Sequence, residues 1–380
     1  MEDTIPLYLN TALVITCWVF AIVFFAFPLP PDHRGLKYYR ISLRTLALGY
    51  FLFGSLIVLS IIIGEPEVDL LSIINLNIAS LQAVLFTMAL VILMNPAYVT
   101  KRRVMMHVAP IVLLDVIEFV LSLEWGNPNL DNISGLGALW CYPTVVVREV
   151  FLLFFVAQLV YLTRIFMVQT RLYASVLNNY FSEGYRVHIP WVQVCFYSSL
   201  TLGVLGVFMM CFFSLEWEVV FTFCCLAFYF IFGICYIQYP RTFLRVESAI
   251  QPVIQPAIQQ EVSFKINRKI SWSILKTKIM REKYYTRMGV NIEEMAQYLN
   301  VGRTTLSGLI NKEENVNFNA WIGMLRVDEA IRIFNENPEY TIAQVSEMVG
   351  YSEPSNFSRQ FKNIIGQSPS EWCQQKRILA

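Results

Sequence analysis

Long apolar runs fill most of the first 240 positions, and short segments with apolar residues at helical spacing follow beyond position 270. Seven runs predict helices at about 6–27, 44–63, 70–94, 104–123, 142–163, 191–214 and 219–239. Each is close to the roughly 20 residues that cross a hydrocarbon layer about 30 Å thick. The third, Leu70 to Met94, carries no charge, and only Leu215–Glu218 separate the last two, which implies a tight hairpin. In the C-terminal part, Asn291 before Ile292-Glu293-Glu294 and Thr341 with Gln344 are helix-start signals, because each places a side-chain acceptor ahead of free backbone N–H groups.

Charge placement orients the apolar helices. Glu2, Asp3, Glu65, Glu67, Asp69, Glu124, Asp131, Glu216 and Glu218 lie in alternate connections that hold no Lys or Arg. The opposite connections carry Arg34, Lys37, Arg40, Arg44, Lys101, Arg102, Arg103, Arg164, Arg171 and Arg186. Short loops rich in Lys and Arg stay cytoplasmic, so the expected bundle has its N-terminus outside and its C-terminus inside. The first run lacks a basic n-region and a cleavage site and is read as a retained helix.

Composition agrees with this reading. The chain has 380 residues, 56% of them hydrophobic and 15% charged, and a formal net charge of +1. Its mean hydropathy is +0.50. Residues 1–240 hold 11 Lys/Arg against 14 Asp/Glu, and residues 241–380 hold 18 against 14. Seven of the eight cysteines lie in or beside apolar runs without CxxC spacing, and the chain has only three histidines. Packing thiols are therefore expected, with no metal, no disulfide framework and no cofactor. No HExxH and no nucleophile with a nearby base points to an enzyme.

Four ionisable groups fall inside the runs. Asp115 and Glu118 are three apart and share a helix face, and Arg148 with Glu149 sits in the outer half of the fifth run. At 1.5 Å per residue, Glu118 lies roughly 22 Å beyond Arg103 and Arg148 roughly 24 Å from Arg164, so the two fall at one depth. An unpaired charge at mid-bilayer costs at least ~2.5–3.5 kcal/mol, so pairing or a watered cavity is expected. Three readings stand for Asp115, Glu118, Arg148 and Glu149: a structural ion pair, an outward-facing pocket for a small ligand, or a proton or ion path.

Residues 240–272 change character, with Pro252 and Pro256 among many glutamines, then Lys265, Arg268 and Lys269. Two prolines four apart argue against one straight helix through this linker. Beyond it stand two similar units. In the first, Ala296 and Leu299 form an apolar face, Asn300-Val301-Gly302 a turn, and Arg303–Ile310 a second helix. In the second, Val345, Met348 and Val349 are expected inward. Gly350 ends that helix, and Pro354 lies early in the next, where a missing N–H costs least. Phe357 and Phe361, four apart, pack inward and leave Asn356, Arg359 and Gln360 outward. Between the units, Trp321, Leu325, Ala330 and Ile333 mark the buried stripe of a linking helix.

These residues carry a resemblance. The stretch Thr341–Lys362, with its Phe357-Ser358-Arg359-Gln360-Phe361-Lys362, running into Gly366-Gln367-Ser368-Pro369, closely resembles the signature of the AraC/XylS family of bacterial transcription regulators. Leu325-Arg326 and Ala330 match its linking helix, and the likeness covers about residues 275–379. Gly308, Asn311 and Asn315 depart from the family pattern, the last standing where a glycine is usual. The resemblance implies that the second helix of each unit enters the major groove of double-stranded DNA. It makes Arg303, Thr305 and Ser307, then Ser355, Asn356, Arg359 and Gln360, the candidate reading residues. Arginine pairs with guanine O6/N7, and Asn or Gln with adenine N6/N7. Lys312, Lys362 and Lys376 are candidate phosphate neighbours.

The expected architecture is all-α: a seven-helix transmembrane bundle over 1–240, a cytoplasmic linker over 241–274 and a soluble double helix-turn-helix domain over 275–380. The expected function is a membrane-embedded one-component transcription regulator in the bacterial cytoplasmic membrane. Its expected partners are DNA, the lipid bilayer, a small-molecule ligand, a second copy on DNA and RNA polymerase. The alternative is a transporter or channel-like protein with a regulatory DNA-binding tail.

Overall fold

The computed structural model describes residues 5–29, 36–63, 72–128, 140–181, 188–211, 215–239 and 271–379. Among these, the regular structure is helical apart from one isolated bridge between Phe181 and Asn291. Seven helices are long and apolar enough to cross a membrane: α1 Ile5–Ala26, α2 Lys37–Ile63, α3 Ile73–Met94, α4 Lys101–Trp125, α5 Pro143–Tyr180, α6 His188–Cys211 and α7 Leu215–Gln238. Helices α2 and α5 exceed their expected spans most. Helix α5 runs 38 residues, because no proline or glycine follows Pro143 to stop it at the end of the apolar run. Helix α2 starts at Lys37 for the same reason.

The chain divides into two compact units, Met1–Arg171 with His188–Ile254, and Leu172–Val187 with Gln255–Ala380. In the first, α1 packs on α2 and α7, α2 on α3, and α3 on α4 and α6. Its core is aromatic. Tyr50 meets Phe24, Phe86 and Tyr229 edge-on or stacked, and Tyr236 stacks on Tyr39 and Phe232. The buried hydroxyls find backbone acceptors on neighbouring helices: Tyr39 donates to the Tyr236 carbonyl at 2.6 Å and Tyr50 to that of Tyr229 at 2.9 Å. Small residues let the helices approach, and a Cβ at Gly233 would come within 2.5 Å of the Phe20 ring.

The outside of this unit is apolar too. Among the described residues, every large exposed hydrophobic except Ile274, Met280, Met288 and Met348 lies on or beside α1–α7. A contiguous surface of that kind is unfavourable in water and ordinary in lipid. The acids Glu2, Asp3, Glu65, Glu67, Asp69 and Asp131, the cations Arg34 and Arg186, and linker residues 240–270 lie outside the described residues.

The second unit holds α8 Trp272–Glu282, α9 Ile292–Tyr298, α10 Arg303–Glu313, α11 Phe318–Glu336, α12 Ile342–Met348, α13 Pro354–Ile365 and α14 Pro369–Leu379. Asn291 caps α9 by accepting from the Glu294 N–H, and Thr341 with Gln344 forms a complete capping box on α12. Pro354 opens α13, and Gly366 closes it in the left-handed region at φ 89°. Asn315 also takes a left-handed conformation, φ 57°, which a glycine there would adopt without cost.

The linking helix α11 buries Phe318, Trp321, Ile322, Leu325, Ala330 and Ile333. Met348 departs from expectation and is 49% exposed. Ile342, Val345, Ser346 and Val349 share the inward face of α12, and at 3.6 residues per turn Met348 falls about 100° from its centre.

Candidate nucleic-acid interface and buried charges

Two helix-turn-helix pairs, α9 with α10 and α12 with α13, flank α11. Arg326 on α11 fixes the second pair. Fully buried, it donates from Nε to the Tyr285 carbonyl and from Nη2 to that of Arg287, each at 2.8 Å, and its guanidinium lies 5.0 Å from the Tyr351 ring centre. Gly350, at φ 92°, passes so close that a Cβ would lie 2.3 Å from the Thr286 carbonyl oxygen. Lys283 and Arg332 meet the Glu329 carboxylate at 2.7 and 2.6 Å. The hydrogen bond from Arg332 chiefly, with that from Lys283, outweighs burial and holds this carboxyl down at about 2.

On α13, Phe357 and Phe361 are fully buried while Ser355, Arg359 and Lys362 are exposed. Arg359 Nη2 donates to Asn356 Oδ1 at 2.7 Å, so the two reading candidates hold one another on the same face. Gln360 differs from expectation. It is half-buried, and its side chain lies over Gly323 of α11, where a Cβ would meet its Nε2 at 2.3 Å. The absent Cβ at position 323 makes the room that draws Gln360 inward.

Helix α10 is less firmly built. Its N-cap, Gly302, has no side chain to accept a hydrogen bond, and Gly308 sits in its interior with open space where a Cβ would stand. Thr305 and Ser307 are half-buried. Arg303, its first residue, is occupied: the guanidinium lies 5.1 Å from the Tyr180 ring centre. Burial pushes its pKa below the ordinary arginine value, and Tyr180 and Glu293 act in the opposite direction. No sequence pattern points to Tyr180, whose hydroxyl bonds to Glu293, 113 residues away.

In the first unit, Arg148 Nε lies 3.5 Å from Glu118 Oε1, with both side chains buried. Arg148 Nη2 also donates to Asn127 Oδ1. Asp115 accepts from Asn77 Nδ2 at 2.7 Å, and Glu149 from Trp140 Nε1 at 2.7 Å. The structure thus joins Glu118 with Arg148 and gives Asp115 and Glu149 other partners. Glu118 and Ile111 are the buried residues of α4, whose remaining surface is largely exposed. Among the described residues, no group of three or more His, Cys, Asp or Glu is placed to hold a metal ion.

A family profile described as a helix-turn-helix domain matches residues 295–375. The Msm operon regulatory protein of Streptococcus mutans is 34% identical over 95 residues, 25% of this chain and 33% of its own length. The raffinose operon transcriptional regulatory protein RafR of Pediococcus pentosaceus is 29% identical over 96 residues, 25% and 34% of the two chains. The HTH-type transcriptional regulator RipA of Corynebacterium diphtheriae is 34% identical over 79 residues, 21% and 23%. The chain therefore spans about a third or less of the length of these curated relatives. No solved structure matches. What the geometry and the comparisons establish together is a C-terminal helix-turn-helix domain related to those of bacterial operon regulators, preceded in the chain by seven membrane-length helices.

Proposed function

We propose that this protein is a membrane-embedded one-component transcription regulator of the AraC/XylS type. The observation that carries the reading is the union, in one chain, of seven apolar helices with apolar outer faces and a helix-turn-helix domain. The N-terminus lies outside the cytoplasmic membrane and the C-terminal domain inside, as the segregation of Lys and Arg from the acidic loops requires. Residues 1–240 are the sensing bundle, 241–274 the linker and 275–380 the DNA-reading head.

The head reads double-stranded DNA with the N-terminal parts of α10 and α13 in successive major grooves. Arg359, held by Asn356, forks onto guanine O6/N7, while Ser355, Asn356, Thr305, Ser307 and Arg303 supply further base or backbone contacts. Lys362 neutralises phosphate. Gln360 serves through packing on α11 as well as at its polar tip. A small ligand or a change in the bundle acts on the charges of α4 and α5, Asp115, Glu118, Arg148 and Glu149. Two copies bind neighbouring sites near a promoter and there meet RNA polymerase.

Two measurements test this. A reporter active only in the cytoplasm works when fused after Lys101, Arg186 or Ala380 and fails after Asp69, Asp131 or Glu216; an inactive fusion at Ala380 refutes the topology. The purified full-length protein binds duplex DNA with affinity that falls steeply as salt rises. Arg359→Ala then costs about 1–3 kcal/mol and relaxes preference at one base pair. Equal weakening on all sequences makes Arg359 a phosphate contact, and no duplex binding at any salt refutes the DNA-reading role.

A further inference from the structure

The last turn of α5 does something its apolar first part does not. Tyr180 and the residue after it, Phe181, are 3% and 7% exposed, buried among residues of the helix-turn-helix unit. The Tyr180 ring lies beneath the Arg303 guanidinium at 5.1 Å, and its hydroxyl donates to Glu293 Oε2 at 3.1 Å. The Phe181 carbonyl accepts from Asn319 Nδ2 at 3.0 Å, and Phe181 pairs as an antiparallel bridge with Asn291. Two consecutive residues thus engage the cap and first turn of α9, the first residue of α10 and the first turn of α11.

We propose that Tyr180 and Phe181 form an autoinhibitory clasp that withholds the first reading helix from DNA. The inference rests on the DNA-reading role proposed above for α10. In a helix-turn-helix unit the N-terminal residues of the second helix face the base edges. A guanidinium held over a phenol ring cannot at the same time fork onto a guanine or a phosphate. Arg303 is therefore held over the Tyr180 ring, which Glu293 secures through the Tyr180 hydroxyl, and DNA must displace the ring to gain it. The clasp is also tied by covalent continuity to the bundle, because α5 runs unbroken from Pro143 to Tyr180 and carries Arg148, the partner of Glu118. A ligand that shifts α5 acts on the clasp through that one helix.

The test uses the full-length protein in lipid nanodiscs and a fluorescein-labelled duplex that this protein itself selects from a random-sequence pool. Replacing Tyr180 and Phe181 together by alanine tightens binding roughly 3- to 30-fold, the range expected for one cation–ring contact of moderate burial. Tyr180→Phe, which keeps the ring and removes the bond to Glu293, tightens it less. Arg303→Ala changes affinity little in the parent and weakens it roughly 10-fold in the double-alanine background, where the arginine has been released. This dependence on background is one that a purely structural role for Tyr180 would not produce. Unchanged or weaker binding by folded double-alanine protein, with Tyr180→Phe and Glu293→Gln equally silent, overturns the clasp while leaving DNA reading intact. Failure of the parent and every variant to bind duplex overturns the DNA-reading role, and the clasp falls with it.

Discussion

Arg148→Gln is expected to be the most damaging single neutralisation in the bundle. In the parent, Arg148 Nε stands 3.5 Å from Glu118 Oε1, and the two side chains are 3% and 8% exposed. Removing the arginine withdraws the cation that stands beside the buried Glu118 carboxylate, and breaking a buried pair from one side costs about 3–5 kcal/mol. Glu118→Gln is gentler. The arginine keeps its bond to Asn127 Oδ1, so about 1–3 kcal/mol is lost. In the double variant both desolvation costs vanish together. It falls short of the sum of the single losses by about 1–3 kcal/mol, the range for groups in direct contact. Unfolding in mild detergent, followed by tryptophan fluorescence across increasing denaturant, gives the three free energies. Strict additivity would refute the reasoning, since it means that the two groups do not share their desolvation. Reporter output then separates structure from signal. A double variant that accumulates, binds DNA and stays deaf to the stimulus assigns the pair to sensing, and one that responds normally assigns it to holding α4 against α5.

Three further expectations concern the head. Gly350→Ala places a Cβ 2.3 Å from the Thr286 carbonyl oxygen in a left-handed conformation, and loses roughly 2–4 kcal/mol in thermal unfolding. Gly308→Ala meets nothing within 4 Å and raises head stability by about 0.5–1 kcal/mol, with the melting temperature as the measurement. Glu329 has its folded pKa depressed to about 2 from an ordinary 4.5, so its contribution is fully present above about 4.5 and is lost as pH falls towards 2. Because Lys283 and Arg332 are nearly half-exposed, that contribution is discounted to about 1–2 kcal/mol, and Glu329→Gln flattens the acid limb of the stability curve.

Local rules made much of the head legible. Phe357 and Phe361 are four apart, Thr341 and Gln344 make a capping box, and Pro354 stands where an N–H is not needed. Each is a statement about neighbours within one or two turns, and each residue sits as its spacing required. The misplacements have another origin. Met348 belongs to a helix of only seven residues, too short for its apolar pattern to define a face sharply. Gln360 turns inward because a glycine on another helix, Gly323, leaves room for it. Arg326 is legible through a resemblance and illegible as a buried donor to two carbonyls, since those carbonyls belong to residues about 40 positions earlier.

The far reach of α5 was hidden for a related reason. Hydropathy locates where a helix stops being apolar, whereas the backbone stops where a residue cannot continue it, and here those two points are separated by more than four turns. The extension from Arg164 to Tyr180 is interrupted by Arg164, Gln169, Thr170 and Arg171, so no unbroken apolar run announces it, and it leads into two aromatic residues that the sequence alone would assign to a loop. Such an extension has a physical consequence for signalling. Proline interrupts a helix, and the linker sequence carries two, Pro252 and Pro256. A continuous helix transmits displacement and rotation along its whole length. If the clasp is the route from sensor to reader, breaking α5 between the two ends should uncouple them: Gln169→Pro would leave DNA binding high and insensitive to stimulus. Adding Ile254→Gly to the linker, with Pro252 and Pro256 both kept, should leave the response unchanged. The opposite pattern, with response lost through the linker and kept through α5, would place the signal path in the linker.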